Sequence, residues 1–407
     1  MAEPRVVVTG LGAVSAVGIG RETVWQALLS GRHAFSPVTL FSTEAYRVKR
    51  GAEIHGFDAA AHLPPGFPVP ASRASQFAVV AAQLALDDAG LDPTQLPRER
   101  VGVAMGTTSG EPREIERFDD LFVADRLAEV GPELLELYPC HVIAANVGAA
   151  FGFGGVNTMI PAACAAGNYA VGFALDTLRR GRAEVMLAGG ADSFSRMTFT
   201  GFARLGGVSP DVCRPFDKNR LGMIPGEGGA VLVLETLDRA RRRGAPIYAE
   251  VAGFGVTCDA HHMTAAHPEG DGLARAMLAA LADAGLAPRA VSYVSAHGTG
   301  TPTNDRLETL ALERAFGPRG GGIPVSSIKS MIGHTMGAAS AFESLVCALA
   351  VAEDRVPPTA NFEEVDPECD LDCVPNAARE LPVEVALNNA SAFGGNNASV
   401  VFRKVRP

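Results

Sequence analysis

Amphipathic stretches and short apolar runs alternate along the chain, and part of this pattern occurs twice. LALDDAGLDP (84–93) matches LAALADAGLAP (278–288), and each has the helical spacing and glycine expected at the end of an amphipathic helix. Each is followed by a strand-like run that enters a glycine- and threonine-rich loop, VGVAMGTTSG from Val101 and VSYVSAHGTG from Val291. The pattern therefore predicts a helix, a strand and a loop in the same order at both places.

The similarity between the two halves continues further along the chain. Helices rich in small residues are predicted from Cys164 and Gly337, and β-like runs follow from Glu184 (EVMLAGG) and Glu384 (EVALNNAS). Strands that alternate with helices indicate right-handed βαβ units and a mostly parallel sheet. The sequence thus predicts an α/β protein of two similar layered halves, 1–250 and 251–407. The alternative, likeness by composition alone, does not account for the shared order.

The composition is that of a well-buried protein. Of the 407 residues, 47% are hydrophobic and 20% are charged, which excludes a disordered, collagen-like or coiled-coil chain. The 45 glycines and 27 prolines indicate many tight turns, so a purely helical bundle is not expected. The longest uninterrupted apolar runs, such as 345–352, fall short of the roughly 18 residues that cross a bilayer. We therefore expect no membrane span.

The N-terminus, the charge and the cysteines narrow the class further. MAEPRVVVTGLG has neither the basic region nor the long apolar stretch of a signal peptide, which predicts a cytoplasmic protein. The net charge of −10 argues against nucleic acid as the main partner. The seven cysteines are scattered without CxxC pairs, so neither a disulfide framework nor a zinc site is indicated.

Cys164 is the first candidate for chemistry. It follows a strand-like run over 156–160 and precedes a stretch with helical spacing that ends at Gly181. At a helix N-terminus the unpaired N–H groups and the dipole favour a thiolate, which predicts a pKa below the usual value of about 8.5. The small residues over 162–167 leave room for a substrate. Taken alone, a cysteine is more often a buried apolar residue, so other motifs must support this assignment.

Two histidines occupy comparable positions. His297 lies in SAHGTGTPTND and His334 in SSIKSMIGHTMGAAS, and both leave β-like runs at loops flanked by glycine. The repeat places these loops and the Cys164 junction at equivalent strand ends, so the three side chains are expected to converge in one crevice. A cysteine with two such histidines combines a nucleophile with two imidazole donors.

Two further segments supply candidate supporting groups. Lys329 lies in a small, apolar segment where a buried cation requires a carboxylate nearby, and the candidates are Asp305, Glu308 and Glu343. A solvated lysine is the alternative. In NNASAFGGNNAS, Phe393 precedes Gly394 and a second glycine, which permit tight turns that aim amide N–H groups into a site, as an oxyanion hole requires. A plain glycine turn between two strands is the alternative.

Two weaker signals do not support a cofactor. GLG from Gly10 lacks the third glycine of GxGxxG and an acidic residue about 20 positions later, so dinucleotide binding is not indicated. His261, His262 and His267 have no strong ligand spacing or carboxylate partner for a catalytic zinc. We expect them to lie in a polar loop near the entrance of the site.

Together these segments resemble one known family, the beta-ketoacyl-acyl-carrier-protein synthases, which are condensing enzymes of the KAS I/II type in the thiolase superfamily. The resemblance covers essentially the whole chain. Its motifs occur in the family's order, and they are RVVVTGLGAVSAVG, AACAAG, PFDKNRLGMIPGEGG, HGTGTPTND, KSMIGHTMGAAS and FGGNN. The resemblance implies a thiolase fold, in which two similar α/β halves form five layers, αβαβα, usually in a dimer.

The resemblance also implies an activity and residue roles. Cys164 would take an acyl group from a carrier-protein thioester. Malonyl on a second carrier protein would then be decarboxylated beside His297 and His334, and the resulting carbanion would attack the acyl-cysteine. Lys329 would support His334 in a network with Glu343, together with the carboxylates above. The amides of Cys164 and Phe393 would form the oxyanion hole, with Gly394 in the gate. No metal or organic cofactor is required for the reaction beyond the carrier's phosphopantetheine arm, although a cation can sit near Glu343 and Asn388 in related synthases.

Some positions depart from the family pattern. Ala162 and Ser340 replace a common threonine and a common glycine, and neither change removes chemistry. The segment 110–147, which in the family shapes the acyl pocket and the dimer contact, is unlike the housekeeping pattern. The basic cluster near residue 77 is reduced to Arg73, so docking of the carrier protein would rest more on Arg204.

Three functions agree with these features. The first is an elongating ketosynthase of a dissociated fatty acid, polyketide or polyene system, acting as a homodimer. The second is a catalytic subunit that is active only in a heterodimer with a chain-length factor, and the third is a non-catalytic scaffold. Intact Cys164, His297, His334 and Lys329 argue against the scaffold. A thiolase would require a second cysteine near FGGNN, which is absent.

Overall fold

The computed structural model describes residues 3–70 and 72–406. The strands of this part of the chain range from two to ten residues in length. They are β1 (Val6–Ser15), β2 (Gly18–Ile19), β3 (Ser36–Pro37), β4 (Arg50–Gly51), β5 (Val101–Gly106), β6 (Asn157–Ile160), β7 (Val185–Asp192), β8 (Gly228–Thr236), β9 (Ala249–Cys258), β10 (Tyr293–Ser295), β11 (Val325–Ser326), β12 (Arg355–Val356), β13 (Arg379–Glu380), β14 (Val385–Ala392) and β15 (Asn396–Arg403).

The helices lie mainly between these strands, as the alternating pattern predicts. They are α1 (Arg21–Leu29), α2 (Arg73–Asp88), α3 (Pro112–Val123), α4 (Leu134–Leu137), α5 (Val142–Phe151), α6 (Ala166–Arg179), α7 (Arg196–Arg204), α8 (Leu237–Arg242), α9 (Asp271–Asp283), α10 (Pro302–Phe316), α11 (Lys329–Ile332) and α12 (Ala339–Glu353). The two helix ends that the repeat predicts belong to α2 and α9, and the two helices rich in small residues are α6 and α12.

The central sheet has an internal symmetry that confirms the repeat. Its order is β11-β10-β14-β15-β9-β1-β8-β7-β5-β6, with β2 on β1. In each half, three strands run parallel (β6, β5, β7 and β11, β10, β14), and the next two, β8 with β1 and β15 with β9, run antiparallel. The predicted mostly parallel sheet is therefore wrong. In the second half the reason is a three-residue turn between β14 and β15, because a tight turn joins only antiparallel strands.

Helices cover the half-sheets in the five layers that the family resemblance implies. The helices α6 and α12 pack on each other and contact strands of both halves, so they form the middle layer. The outer layers are α2 with α5 on the first half and α9 with α10 on the second. The half-sheets join only where 6–8 of β1 pair with 249–251 of β9. The predicted boundary near residue 250 falls beside the start of β9, and the division into 1–250 and 251–407 stays a prediction.

The middle layer contains a long helix that is mostly apolar on every side. Met336–Glu353 is 18 residues long and by length and composition could cross a membrane, yet 89% of it is buried inside the protein. A search for uninterrupted apolar runs overlooks this helix because Ser340, Glu343 and Ser344 interrupt it. A helix that is apolar on all sides suits a position between two sheets.

Truncation of a side chain in the middle layer should destabilise the protein far more than the same truncation on an outer helix. Leu345 of α12 is fully buried, whereas Leu278 of α9 is 40% exposed. A buried Leu→Ala change costs about 2–5 kcal/mol, whereas exposed changes cost about 0.5 kcal/mol or less. We expect Leu345→Ala to lower the urea midpoint, followed by circular dichroism, and Leu278→Ala to leave it nearly unchanged. Equal shifts would contradict this placement of α12.

Candidate active site

Cys164 lies at the strand-to-helix junction that the sequence predicts. β6 ends at Ile160, a single 3-10 turn covers Ala163–Ala165, and α6 begins at Ala166. Ala163 has a φ of 47°, in the left-handed region that a residue with a Cβ rarely adopts. This tight turn holds Cys164 directly at the start of α6.

The two histidines converge on this cysteine. His297 follows β10 and His334 follows α11, and the Cys164 Sγ and one nitrogen of each ring all lie within 4.8 Å of one another. The ring centroids are 5.6 Å apart, at an interplanar angle of 83°. All three side chains are buried. The predicted crevice at the strand ends is therefore confirmed as a geometric arrangement.

The contacts of both imidazoles define which ring nitrogen carries the proton. The Met336 amide donates to His334 Nδ1 at 3.2 Å, and Lys329 Nζ lies 3.4 Å from His297 Nδ1. Burial, reinforced by the Lys329 ammonium, holds the pKa of both histidines well below the ordinary value, so both rings are neutral. A neutral ring that accepts at Nδ1 carries its proton on Nε2. Each histidine therefore presents an Nε2–H donor.

The same tautomers bear on metal binding. In the described part of the chain, Cys164, His297 and His334 form the one group of histidines, cysteines and carboxylates with ligand-like spacing. A metal bound to Nε2 would displace the proton from that nitrogen. Because Nδ1 accepts a hydrogen bond and cannot take up this proton, the ring would have to become an imidazolate. These contacts disfavour a metal at the three residues, and the expectation of a metal-free reaction stays a prediction.

The ionisation of Cys164 differs from the expectation. Burial raises the pKa of the Cys164 thiol to about 12, and the Lys329 ammonium opposes this effect only in part. The predicted lowering of the pKa at the helix N-terminus is thus wrong for the free enzyme, because removal of the sulfur from water outweighs the favourable end of α6. Cys164 rests as a neutral thiol between two neutral imidazoles.

Lys329 is fully buried and paired, as the requirement for a nearby carboxylate predicts. Its ammonium donates to the Glu343 carboxylate and, at 2.6 Å, to the His297 carbonyl oxygen. The predicted support of His334 is wrong, because the Lys329 contacts go to His297 and the Met336 amide occupies His334 Nδ1. Lys329 therefore holds His297 through both its ring and its backbone.

The other two candidate carboxylates hold the loop after β10. Glu308 accepts from the amides of His297 at 2.8 Å and Gly298 at 2.7 Å. Asp305 accepts from the amides of Phe216 at 2.8 Å and Gly300 at 3.2 Å. Both carboxylates thus belong to the predicted supporting network, although Glu343 is the one that pairs with Lys329.

A cavity of about 340 Å³ opens onto Cys164, His297 and His334. Phe393 lines it, is 41% exposed, and lies with its ring centroid 5.6 Å from that of Phe202. The Gly394 amide donates to the Met263 carbonyl oxygen at 2.8 Å, so it cannot also donate to an oxyanion. Gly394 is therefore suited to the gate and not to the oxyanion hole. The oxyanion role of the Cys164 and Phe393 amides stays a prediction.

The segment with the three other histidines, 261–267, borders the same cavity through Thr264, Ala265 and Ala266. This agrees with the expected loop near the entrance. Because His261, His262 and His267 fall outside the group with ligand-like spacing, the structure gives no support to a metal role for them.

The two predicted docking arginines differ in their environments. The Arg73 guanidinium donates to the Glu227 carboxylate at 2.7 Å and to the Ile54 carbonyl oxygen at 2.8 Å. These contacts and one from Nε engage three of the five N–H donors of Arg73 inside the fold, and its docking role stays a prediction. Arg204 is exposed at the end of α7, beside Leu205, which lines the cavity. The position of Arg204 fits the docking prediction better, because its side chain is exposed beside the cavity.

Two buried oxygens bear on the cation that the resemblance implies. Glu343 Oε2 and Asn388 Oδ1 have no hydrogen-bond partner within residues 3–70 and 72–406. Carboxylate and amide oxygens are the ligands that hard cations prefer. These residues therefore fit such a cation, which would neutralise buried negative charge behind the site.

Sequence reasoning missed two groups that shape the site. Asp192, at the end of β7, accepts hydrogen bonds from two loops that border the site. The sequence feature that could have indicated it is a carboxylate at the end of the apolar run EVMLAGGAD. Ser340, noted only as a departure, accepts from the Asn168 amide at 3.0 Å through its hydroxyl oxygen. It thus satisfies an amide in the first turn of α6.

Comparisons with known proteins agree with this geometry. Residues 3–240 match the model of the beta-ketoacyl synthase N-terminal domain, and residues 248–363 match that of the C-terminal domain. The chain is 40% identical to 3-oxoacyl-[acyl-carrier-protein] synthase 2 of Synechocystis, over 98% of both chains. It is 41% identical to the tetracenomycin polyketide synthase ketoacyl synthase alpha subunit of Streptomyces glaucescens, over 99% of this chain and 98% of that protein.

Solved structures give the same result. The ishigamide ketosynthase/chain length factor superposes with a TM-score of 0.94 at 40% identity, over all of both chains. A type II polyketide synthase ketosynthase in complex with its acyl-carrier protein superposes with a TM-score of 0.91 at 32% identity, also over all of both chains. The predicted thiolase-type fold and the predicted condensing acyltransferase activity are confirmed. The chain belongs to the beta-ketoacyl synthase family.

Proposed function

We propose that Cys164, His297 and His334 carry out the decarboxylative condensation of this family, with the growing acyl group held on Cys164. The observation that carries this proposal is the meeting of one thiol and two ring nitrogens within 4.8 Å at the base of an open cavity. A nucleophile and two fixed Nε2–H donors are the groups that acyl transfer and enolate formation require.

In the first step, Cys164 Sγ attacks the carbonyl carbon of an acyl group on a carrier-protein thioester. A new C–S bond forms at Cys164, the bond to the phosphopantetheine sulfur breaks, and the proton of the neutral thiol ends on that departing sulfur. The negative charge that develops on the carbonyl oxygen is stabilised by the amides of Cys164 and Phe393. The step consumes no net proton, which suits a thiol with a raised pKa.

In the second step, a malonyl carrier protein loses CO2, and the electron pair of the broken C–C bond becomes an enolate. The Nε2–H groups of His297 and His334 stabilise the enolate oxygen, and removal of one such donor typically costs about 10²–10³ in rate. The enolate carbon attacks the acyl-cysteine, the C–S bond breaks, and the Cys164 thiolate takes a proton from solvent. Lys329 keeps His297 in place throughout.

The partner of this reaction is an acyl carrier protein, whose phosphopantetheine arm supplies the substrates and is the only cofactor. Arg204 beside the cavity is positioned to meet the acidic surface of such a carrier. A cation at Glu343 and Asn388 would have a structural role only. We assign the enzyme to the cytoplasm, where carrier-protein pathways operate.

A second candidate function is the cysteine-bearing subunit of a heterodimer with a chain-length factor. The ishigamide structure, which superposes closely, is such a pair. Within 117–141 this chain exposes several large apolar side chains, among them Phe122 at 59%, Val123 at 83% and Leu135 at 70%. Contiguous exposed apolar groups mark an interaction surface, and a partner subunit would cover them.

Acyl loading tests the nucleophile. After incubation with acyl-carrier-protein thioesters of several lengths, intact-protein mass spectrometry should show one acyl increment on the wild-type enzyme. We expect Cys164→Ala to show none, because the attacking sulfur is gone. The matched control is Cys258→Ala, which removes an exposed cysteine and should still load. An increment on Cys164→Ala that Cys258→Ala lacks would reject the assignment.

Alkylation tests the protonation state of Cys164. Because burial raises the pKa of its thiol to about 12, its thiolate fraction should rise about tenfold per pH unit between about pH 7 and pH 10. We expect the rate of iodoacetamide labelling, followed by peptide mass spectrometry, to rise across this range without a plateau. Labelling of the exposed Cys258 in the same samples monitors the reagent. A plateau near neutral pH would show that the helix N-terminus dominates after all.

Native mass spectrometry separates the two assembly candidates. If the enzyme works as a homodimer, the chain alone should give the mass of a homodimer. If it is the subunit of a heterodimer, the chain co-expressed with a chain-length factor should give the mass of a heterodimer. If 117–141 forms the contact, Leu135→Asp should abolish the dimer, because a charge there would be buried without a partner. Leu278→Asp on the exposed face of α9 is the control, and loss of the dimer in both variants would contradict this contact.

A further inference from the structure

We propose that Asp192 is a positioning residue that fixes the tautomer of His334 and thereby prepares its Nε2–H donor for the condensation step. This inference rests on the proposed role of His334 in stabilising the enolate. Asp192 is the last residue of β7 and is 1% exposed, so its carboxylate faces the interior and not the substrate cavity.

The Asp192 carboxylate accepts four hydrogen bonds from two separate loops. Its Oδ1 accepts from the Thr107 hydroxyl at 2.8 Å and from the Ser109 amide at 3.0 Å. Its Oδ2 accepts from the Thr108 amide at 2.8 Å and from the Gly337 amide at 2.7 Å. Hydrogen bonds to a charged acceptor are the strong ones, so Asp192 ties the loop after β5 firmly to the turn before α12.

That turn determines the tautomer of His334. Met336, directly before Gly337, donates its amide to His334 Nδ1 at 3.2 Å and has a φ of 54°, in the left-handed region. For a residue with a Cβ this conformation is strained and persists only where its surroundings hold it. The hydrogen bond from the Gly337 amide, the next amide in the chain, to Asp192 stabilises Met336 in this conformation.

The close approach of the two loops explains why position 337 is glycine. A Cβ built there would lie 2.4 Å from the Thr107 carbonyl carbon, so any side chain would push the turn away from the loop. Asp192 can therefore reach donors of both segments at once.

The His334 backbone is held independently of Asp192. Its amide donates to the Ile224 carbonyl oxygen at 2.7 Å, and its carbonyl oxygen accepts from the Gly226 amide at 2.9 Å. Loss of Asp192 should therefore release the Met336 amide from His334 Nδ1 without moving the His334 backbone. The effect would fall on the position of the ring proton.

The test compares Asp192→Asn with the wild-type enzyme. An asparagine at this position removes the negative charge, and in either orientation its NH2 group faces at least one amide donor, so at least one of the three amide bonds is lost and the bond to Gly337 loses its charged acceptor. We expect the turnover number for condensation to fall about 10- to 100-fold, somewhat less than the 10²–10³ of a deleted donor. The KM for the malonyl carrier and the acyl loading of Cys164 should change less than about threefold, because neither requires the His334 donor.

A spectroscopic measurement separates positioning from a general structural effect. In enzyme labelled with 15N-histidine, His334, assigned with His334→Gln, should show an unprotonated Nδ1 and a protonated Nε2. Asp192→Asn should shift both ring signals toward an exchange of tautomers, while the signals of His297 stay in place. Unchanged His334 signals together with unchanged turnover would overturn the proposal.

The matched control is Glu111→Gln. Glu111 is also 1% exposed and accepts from the Ala74 amide and from the amide and hydroxyl of Ser75, at the start of α2. It shares the burial of Asp192 but none of its contacts with the turn before α12. An equal loss of turnover in both variants would mean general destabilisation and would reject the positioning role.

Two further variants complete the design. If Asp192→Asn does not fold, Thr107→Val removes one of the four hydrogen bonds and should give a smaller shift of the same His334 signals. His334→Ala separates this inference from the proposed function. If His334→Ala still condenses at the wild-type rate, the proposed function fails, whereas if it loses condensation and Asp192→Asn and Thr107→Val do not, only the inference about Asp192 fails.

Discussion

The packing of α6 against α12 between the two half-sheets is the constraint on which the rest of the structure depends. The first turn of α6 follows Cys164, and α12, which contains Glu343, begins five residues after His334. The distance between nucleophile and imidazole is therefore set by how closely two helices rich in small residues approach each other. Polar groups lock this contact: the Asn388 amide nitrogen donates to Asn168 Oδ1 at 2.7 Å and to Ser344 Oγ at 2.9 Å.

Burial of the site between the half-sheets also determines its electrostatics. A thiol and two imidazoles removed from water favour their neutral forms, and a single cation, Lys329, pairs with Glu343 at the same depth. Burial, reinforced by the ammonium, keeps the imidazoles unprotonated, which leaves them as donors at Nε2 and unable to act as general acids. A site of this kind stabilises charge only when the reaction creates it, and this is the condition under which fixed dipoles accelerate acyl chemistry.

The sequence contained enough to predict the two halves and the convergence of Cys164, His297 and His334, because these features repeat along the chain or follow from the strand ends, whereas the five layers were implied by the family resemblance. It could not provide side-chain partners. Lys329 holds His297 and not His334, and Arg73 is occupied by Glu227, because such pairings depend on distances between segments more than 30 and 150 residues apart. The prediction of a lowered pKa for the Cys164 thiol was wrong for the same reason. A motif indicates where a helix begins, whereas the depth of burial depends on how the segments pack.

The internal repeat explains why one half bears the nucleophile. The turn Ala163–Ala165 before α6 and the turn Met336–Ala338 before α12 are counterparts, and each opens with a left-handed residue, Ala163 at 47° and Met336 at 54°. Cys164 therefore matches Gly337, and the strand ends that face them, Asp192 of β7 and Ala392 of β14, match as well. In one half a carboxylate accepts from the amide of Gly337, which is the contact on which the proposed positioning of His334 rests. In the other half alanine provides no acceptor, so no side chain at that strand end engages the Cys164 amide, as the oxyanion role proposed for this amide requires.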